Sequence, residues 1–188
     1  VTINSLVVAG GAALSGNNFF FGSVVPLQVR SGGSLKVTAN QLTVPTSAPI
    51  EVQGGGSLFL AVGTNSGGAL IVRSGGVFQQ LNTQTLHFDS VLVERGGLLT
   101  HAPNSSVRAS ILNLSVSGDF DLQAGATISL SGLGYMGGNG PQSGQKNGFG
   151  PGAGRYDGTG SGAGHGGAGG NSSSGLAGGA SYDSATNP

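Results

Sequence analysis

The sequence contains no cysteine and little charge. The absence of cysteine excludes disulfide bonds, thiolate chemistry and cysteine-based zinc sites. Only 7% of the residues are charged, and seven basic residues balance seven acidic ones. The chain has no net charge and therefore no long-range electrostatic field that would attract a polyanion. We predict that neither nucleic acid nor an anionic lipid surface is a partner. The 39 glycines also disfavour helix almost throughout the chain.

Long hydrophobic runs are absent as well. No apolar stretch approaches the roughly 18 residues that a membrane-spanning helix needs, so we expect no membrane insertion. No basic signal-peptide start precedes Val1, and we interpret the 188 residues as a mature or excised piece. A surface poor in charge and rich in Ser, Thr, Asn and Gly is typical of a chain that is glycosylated or packed against copies of itself. We therefore predict an extracellular or cell-surface location.

An internal repeat organises most of the chain, with the pattern apolar-x-apolar-x-x-Gly-Gly-x-apolar. The period-two alternation within each copy places the second apolar residue inward and its neighbours outward. These inward residues are Val8, Val29, Val52, Val72, Val93 and Leu122. By subtraction they lie 21, 23, 20, 21 and 29 positions apart, the length of one β-solenoid turn. The longest interval indicates an insertion between Thr100 and Ser117.

Each turn is predicted to supply about three short strands. A second strand follows the glycines, as at Leu35–Val37, and a third comes later, as at Leu42–Val44 and Leu112–Leu114. The glycines stand where the chain turns a corner, because glycine takes a positive φ without steric cost. The sequence therefore predicts an all-β fold. It is a parallel β-helix (β-solenoid) of about six rungs over residues 1–131, followed by a glycine-rich, largely irregular C-terminal arm over residues 132–188.

The arm has its own composition. Glycine takes 20 of the last 56 positions, often at every second residue, which is neither the collagen repeat nor a phosphate-binding loop. Such a composition indicates either close backbone packing or disorder. Spaced aromatic residues favour packing, because aromatic rings anchor a backbone against another surface. As assembly or glycan contacts in the arm we select Tyr135, Phe149, Tyr156 and Tyr182.

Four stretches of the arm carry a resemblance. They are Gly134-Tyr135-x-Gly137-Gly138-x-Gly140-Pro141, Gly150-Pro151-Gly152, Gly164-His165-Gly166-Gly167-x-Gly169-Gly170 and Gly178-Gly179-x-x-Tyr182-x-Ser184. Together they resemble a glycine-rich segment of very large secreted β-helix proteins. Those proteins are similar to adhesins, extracellular-matrix components and mastigoneme-like flagellar-hair proteins. The resemblance implies a surface or filament role.

Two further sets of residues are candidate sites. Phe19, Phe20 and Phe21 are consecutive, so on a strand at least one ring must meet solvent, the arm or a partner. We count them as assembly or glycan contacts. Three Asn-x-Ser sequons are possible N-glycosylation sites, at Asn104, Asn113 and Asn171.

These patterns predict a structural subunit of an extracellular filament or matrix. Copies of the chain are its expected partners, and assembly uses the solenoid ends and the arm. A carbohydrate-binding surface adhesin is the alternative, with glycans as partners. A polysaccharide-degrading β-helix enzyme is a remote alternative, because a surface ion pair explains Arg73 and Glu94, and a structural role explains Asp119 and Asp121. We expect no catalysis, no metal and no cofactor.

Overall fold

The computed structural model describes residues 2–21, 27–45, 48–138, 147–164 and 167–182. In these ranges the regular structure is β throughout, without a helix, and parallel sheets form a β-solenoid. The predicted fold class is confirmed. The strands are β1 (Thr2–Ile3), β2 (Leu6–Val8), β3 (Gly11–Phe21), β4 (Leu27–Val29), β5 (Ser34–Thr43), β6 (Ile50–Val52), β7 (Ser57–Ser66), β8 (Ala69–Val72), β9 (Val77–Gln80), β10 (Leu86–Phe88), β11 (Ser90–Val93), β12 (Leu98–His101), β13 (Leu114–Val116), β14 (Phe120–Leu122) and β15 (Thr127–Ile128).

The strands of equivalent turns stack into three sheets. The orders are β2-β4-β6-β8-β11-β14, β1-β3-β5-β7-β9-β12-β15 and the pair β10-β13. The prediction of three short strands in every turn is wrong for the first turns, because β5 runs unbroken through the positions assigned to a second and a third strand. The predicted strand at Leu112–Leu114 is also displaced. It begins at Leu114, since Leu86 lies opposite Leu114 and Phe88 opposite Val116.

Inward side chains form apolar columns through the solenoid. In the six-stranded sheet, the register places each inward residue directly beside its equivalent in the next turn. The residues of the two central columns are at most 1% exposed. Burying each of them contributes roughly 1.5–3 kcal/mol. They are Leu27, Ile50, Leu70 and Val91 in one column and Val29, Val52, Val72 and Val93 in the other.

The glycine pair Gly75-Gly76 at one corner meets two separate requirements. The amide of Gly76 donates to the carbonyl of Arg73 at 2.8 Å, which closes a β-turn, and Gly75 within it has a φ of 78°. A turn with positive φ at its third residue needs glycine there. Gly76 cannot carry a side chain for another reason, because a Cβ would lie 2.8 Å from the Val52 carbonyl oxygen of the preceding turn.

The solenoid has about four turns, so the predicted count of about six rungs is too high. The six repeat copies do supply six strands of one sheet, which runs from β2 to β14. Only four of these strands, however, have a neighbour on both sides.

The chain divides into two compact units. One is made from Val1–Ala102 and Ser110–Ser131, and the other from Pro103–Ala109 and Gly132–Pro188. Part of the predicted insertion thus belongs to the second unit. Within that unit, the amide of Asn104 donates to the Leu133 carbonyl at 3.0 Å, and the amide of Met136 donates to the Ser105 carbonyl at 3.0 Å.

The glycine-rich unit is organised by contacts between backbones. Gly164 donates to the Gly152 carbonyl at 2.8 Å, Gly162 donates to that of Gly170 at 2.8 Å, and Gly179 donates to that of Gly162 at 2.9 Å. A Cβ at Gly152 would overlap the Gly164 carbonyl oxygen. Glycine therefore lets neighbouring segments approach each other closely. Of the two alternatives that composition left open, the described part of this unit shows close packing.

Candidate functional site

The strands β14 and β15, here called the terminal rung, expose the end of the apolar core. Phe120 and Leu122 pair in register with the buried residues Val91 and Val93, and Ile128 pairs with the buried Leu99. Yet Phe120 is 43% exposed, and Leu122 and Ile128 are each 42% exposed. They continue the core columns without the burial that a further rung provides. In the part of the chain that the structure describes, β14 has a neighbouring strand on one side only, so the terminal rung is an apolar surface bordered by a strand edge.

A charged ladder crosses the outer face of the six-stranded sheet. The Nε of Arg73 donates to the Oε1 of Glu51 at 2.8 Å, and its Nη1 donates to the Oε1 of Glu94. The Nε2 of Gln28 donates to the other oxygen of Glu51 at 2.8 Å. The hydrogen bonds to Glu51 and then to Glu94 raise the pKa of Arg73 above its ordinary value. The ladder therefore stabilises adjacent turns and leaves both carboxylates bound to an arginine.

Four aromatic residues of the second unit line one groove. The groove has a volume of about 520 Å³. Its aromatic lining is Tyr135, Phe149, Tyr156 and Tyr182, the four residues selected in the arm from the sequence. We call it the aromatic groove. The structure brings these residues together around a concave surface of the size typical of small-ligand sites.

Two of the tyrosine rings lie directly on glycine backbone. A Cβ at Gly150 would lie 2.5 Å from the Cδ2 of Tyr135, and one at Gly152 would lie 2.5 Å from the Cδ1 of Tyr182. Tyr135 is nevertheless 38% exposed and Tyr182 52% exposed. Each ring thus has one side held against the backbone while much of its surface remains accessible.

The side chains of the three consecutive phenylalanines alternate between the core and the surface, as strand geometry requires. Phe19 and Phe21 are buried in the core, whereas Phe20 is 38% exposed. Phe20 lies in β3, opposite Thr2 on one side and Thr43 on the other. Of the three rings, Phe20 is the one that is exposed.

The three sequon asparagines have different surroundings. The Nδ2 of Asn104 donates to the Leu133 carbonyl at 3.0 Å, and that of Asn113 donates to the Thr85 hydroxyl at 3.0 Å. Asn171 is exposed, and its Oδ1 accepts from the Gly178 amide at 3.2 Å. Because a glycan is attached at Nδ2, Asn171 has the most accessible acceptor of the three.

Several residues of these surfaces escaped prediction from the sequence. Glu51 lies one residue before the position equivalent to Val72, whereas Arg73 follows that position, and the long arginine side chain bridges the two outward columns. Arg155 lines the aromatic groove, and its position next to Tyr156 was the available signal. For the terminal rung, the signal was the last copy of the repeat, in which Ala124-Gly125 stands in place of the glycine pair. Among the described residues, no group of three or more His, Asp or Glu side chains is placed to hold a metal ion.

The fold and these surfaces define a β-solenoid that carries a compact glycine-rich unit. No protein-family model, curated protein or solved structure matches the chain.

No helix in the described part of the chain is long and apolar enough to cross a membrane.

Proposed function

We propose that the protein is a structural subunit of an extracellular filament or matrix, and that it assembles through its solenoid ends. The observation that carries the proposal is the terminal rung. Its side chains occupy the same columns as the buried core residues of the preceding turn, yet more than two fifths of each is exposed. A rung from another copy would bury them and pair with the free edge of β14.

The geometry of the sheet favours contact between unlike ends. The six-stranded sheet has β14 at one edge and β2 at the other, and all its strands are parallel. When β14 of one copy meets β2 of another, Phe120 and Leu122 stack on Leu6 and Val8, and the apolar columns continue across the contact. A heterologous contact of this kind generates an open fibre when its rotation does not close. The glycine-rich unit supplies a second contact surface along such a fibre.

The outer charged ladder supports a structural role for the sheet face. Arg73 joins Glu51 and Glu94 on the two neighbouring turns, so the ladder spans three turns. An exposed pair of this kind contributes roughly 0–1 kcal/mol, and a connected set is worth more than an isolated pair. Both carboxylates are held by the arginine, an arrangement suited to stabilising the stack.

The test compares two lysine substitutions at exposed apolar positions of the full chain. Leu122→Lys places a charge in the proposed interface, whereas Val107→Lys places one at an exposed residue of the other compact unit. Sedimentation and electron microscopy should show assemblies of the wild type and of Val107→Lys, and monomers of Leu122→Lys. Circular dichroism should show that all three are folded, since both side chains are exposed. A wild type that stays monomeric at high protein concentration would contradict the proposal. So would a Leu122→Lys variant that assembles at the same protein concentration as the wild type.

A further inference from the structure

We propose that the aromatic groove binds an acidic saccharide, a short chain of pyranose rings in which at least one carries a carboxylate. Rings of the tyrosines stack on the sugar rings, and Arg155 binds the carboxylate. This inference is independent of end-to-end assembly, because the groove and the terminal rung belong to different compact units. It assigns a ligand class to a surface that a purely structural subunit does not require.

The first argument is the support beneath the aromatic rings. Tyr135 and Tyr182 rest on the Cα atoms of Gly150 and Gly152, and a Cβ at either glycine would collide with the ring. The rings are therefore positioned before any ligand arrives, and little conformational entropy is lost on binding. Large aromatic surfaces with a polar tip suit ligands that are apolar on one face and hydroxylated at the rim. Pyranose rings have this character.

The second argument is charge. Arg155 is the one charged residue among the described residues that line the groove. It is exposed, and its guanidinium makes no hydrogen bond or ion pair with any residue that the structure describes. The neighbouring Asp157 accepts a hydrogen bond from the Ser174 hydroxyl at 2.7 Å. A guanidinium without an anionic partner matches the planar, two-oxygen geometry of a carboxylate.

The third argument is the polar lining supplied by the backbone. Much of the groove is formed by glycine, so peptide N–H and C=O groups reach its surface without being covered by side chains. Ser161 adds a hydroxyl, which accepts from the Arg155 amide at 2.9 Å. Pockets that combine aromatic walls with a few oriented polar groups are typical of specific small-ligand sites. A hydroxyl-rich ligand uses both kinds of group.

The chain contains its own optical reporter of the groove. It has three tyrosines and no tryptophan, and all three tyrosines line the groove. Titration of the full chain with a galacturonate oligomer should therefore change the tyrosine fluorescence saturably. The matched ligand is the same oligomer as its methyl ester, which has the same rings without the charge. We expect the ester to bind about tenfold more weakly, because it loses a charge-assisted hydrogen bond.

Variants separate the two parts of the site. Arg155→Gln should weaken binding of the acid about tenfold and remove the preference for acid over ester. Arg108→Gln changes an exposed arginine of the same unit that does not line the groove, and it should leave both unchanged. Tyr156→Leu removes an aromatic ring from the groove and should weaken binding of both ligands. Equal affinity for acid and ester, or an unchanged preference in Arg155→Gln, would overturn the proposal. So would a fluorescence response to a proline-rich peptide but to neither oligomer.

The titration is repeated with Leu122→Lys, which removes the proposed assembly contact. Binding that persists in this variant places the site in the glycine-rich unit of a single copy. Binding that is lost with assembly overturns the assignment to the aromatic groove. Failure of end-to-end assembly in the wild type, with binding retained, contradicts the filament proposal alone.

Discussion

At the scale of single residues, the corner glycines show why the repeat contains a pair. In four copies of the repeat the first glycine of the pair adopts a positive φ, between 75° and 82° at Gly32, Gly55, Gly75 and Gly96. The second faces the backbone of the preceding turn, where a Cβ at Gly76 or Gly97 would lie within 2.9 Å of a carbonyl oxygen. Glycine is required at the first position for its backbone conformation and at the second because a side chain has no room there.

Alanine substitutions should distinguish these two requirements. Gly75→Ala forces an L-residue into the left-handed region and should lower the free energy of unfolding by about 1–2 kcal/mol. Gly76→Ala should cost more, since the Val52 carbonyl belongs to a paired strand and cannot move independently. Ser74→Ala, at an exposed neighbour, is the control and should change stability by less than about 0.5 kcal/mol. Denaturant unfolding provides the measurement. Equal stability of Ser74→Ala and Gly76→Ala would show that the stacked turns do not constrain the second glycine.

At the scale of strands, one amide side chain takes the place of a missing backbone pairing. Asn65, near the end of β7, is buried, and its Nδ2 donates to the His87 carbonyl at 2.6 Å. Its Oδ1 accepts from the His87 amide at 2.7 Å. His87 lies in β10, so this side chain connects the turn that contains β7 to the third sheet. An amide fits because it carries a donor and an acceptor side by side.

The substitution Asn65→Asp tests this connection. A carboxylate still accepts from the His87 amide but cannot donate to its carbonyl, and it places a charge where Asn65 is buried. We expect a loss of about 1–3 kcal/mol in the free energy of unfolding at neutral pH. The loss should be smaller at a pH low enough to protonate the new carboxyl, because a protonated acid can donate. Asn40→Asp, at an exposed position of β5, should have little effect at either pH. A pH-independent loss would show that the donated hydrogen bond is not the important one.

At the scale of the whole molecule, the two compact units are stabilised by different interactions. The solenoid unit buries columns of Leu, Ile, Val and Phe side chains. In the glycine-rich unit, backbone segments pack against one another, with glycines at the closest contacts. The solenoid unit presents the terminal rung, and the glycine-rich unit presents the aromatic groove. Each unit thus carries a candidate surface of its own.

Hydrogen exchange should locate the assembly contact within the molecule. An edge strand leaves every second N–H group without a strand partner, so the amides of Phe120 and Leu122, which alternate with residues bonded to β11, should exchange quickly at low protein concentration. At concentrations that favour assembly, we expect their protection to rise. Amides in Ile50–Val52, which lies between two strands, should be equally protected at both concentrations. Protection that rises elsewhere but not at Phe120–Leu122 would place the contact on another surface.

Much of the solenoid was predictable, because its determinants are local and repeated. The alternation of Leu27, Gln28 and Val29 indicates which side chains point inward, and the spacing of the copies predicts which residues stack. For the candidate sites, the sequence indicated which types of residue are involved but not which of them lie close together. Spaced tyrosines among glycines indicated an aromatic contact surface, and all three line one groove. Arg155, Glu51 and the exposure of Leu122 depend on neighbours that are distant in sequence.

The amino-acid order alone therefore determined the class of fold, the inward and outward faces and the corners of each turn, since a period of two and a glycine pair act through the backbone next to them. The path of the chain in space decided the rest. The merging of two strands into β5 and the exposure of β14 depend on which segments lie above and below. In the glycine-rich unit, no side-chain pattern can specify which segments pair, because glycine has no side chain. Tyr135, Tyr156 and Tyr182 consequently meet only through tertiary packing of the backbone between them.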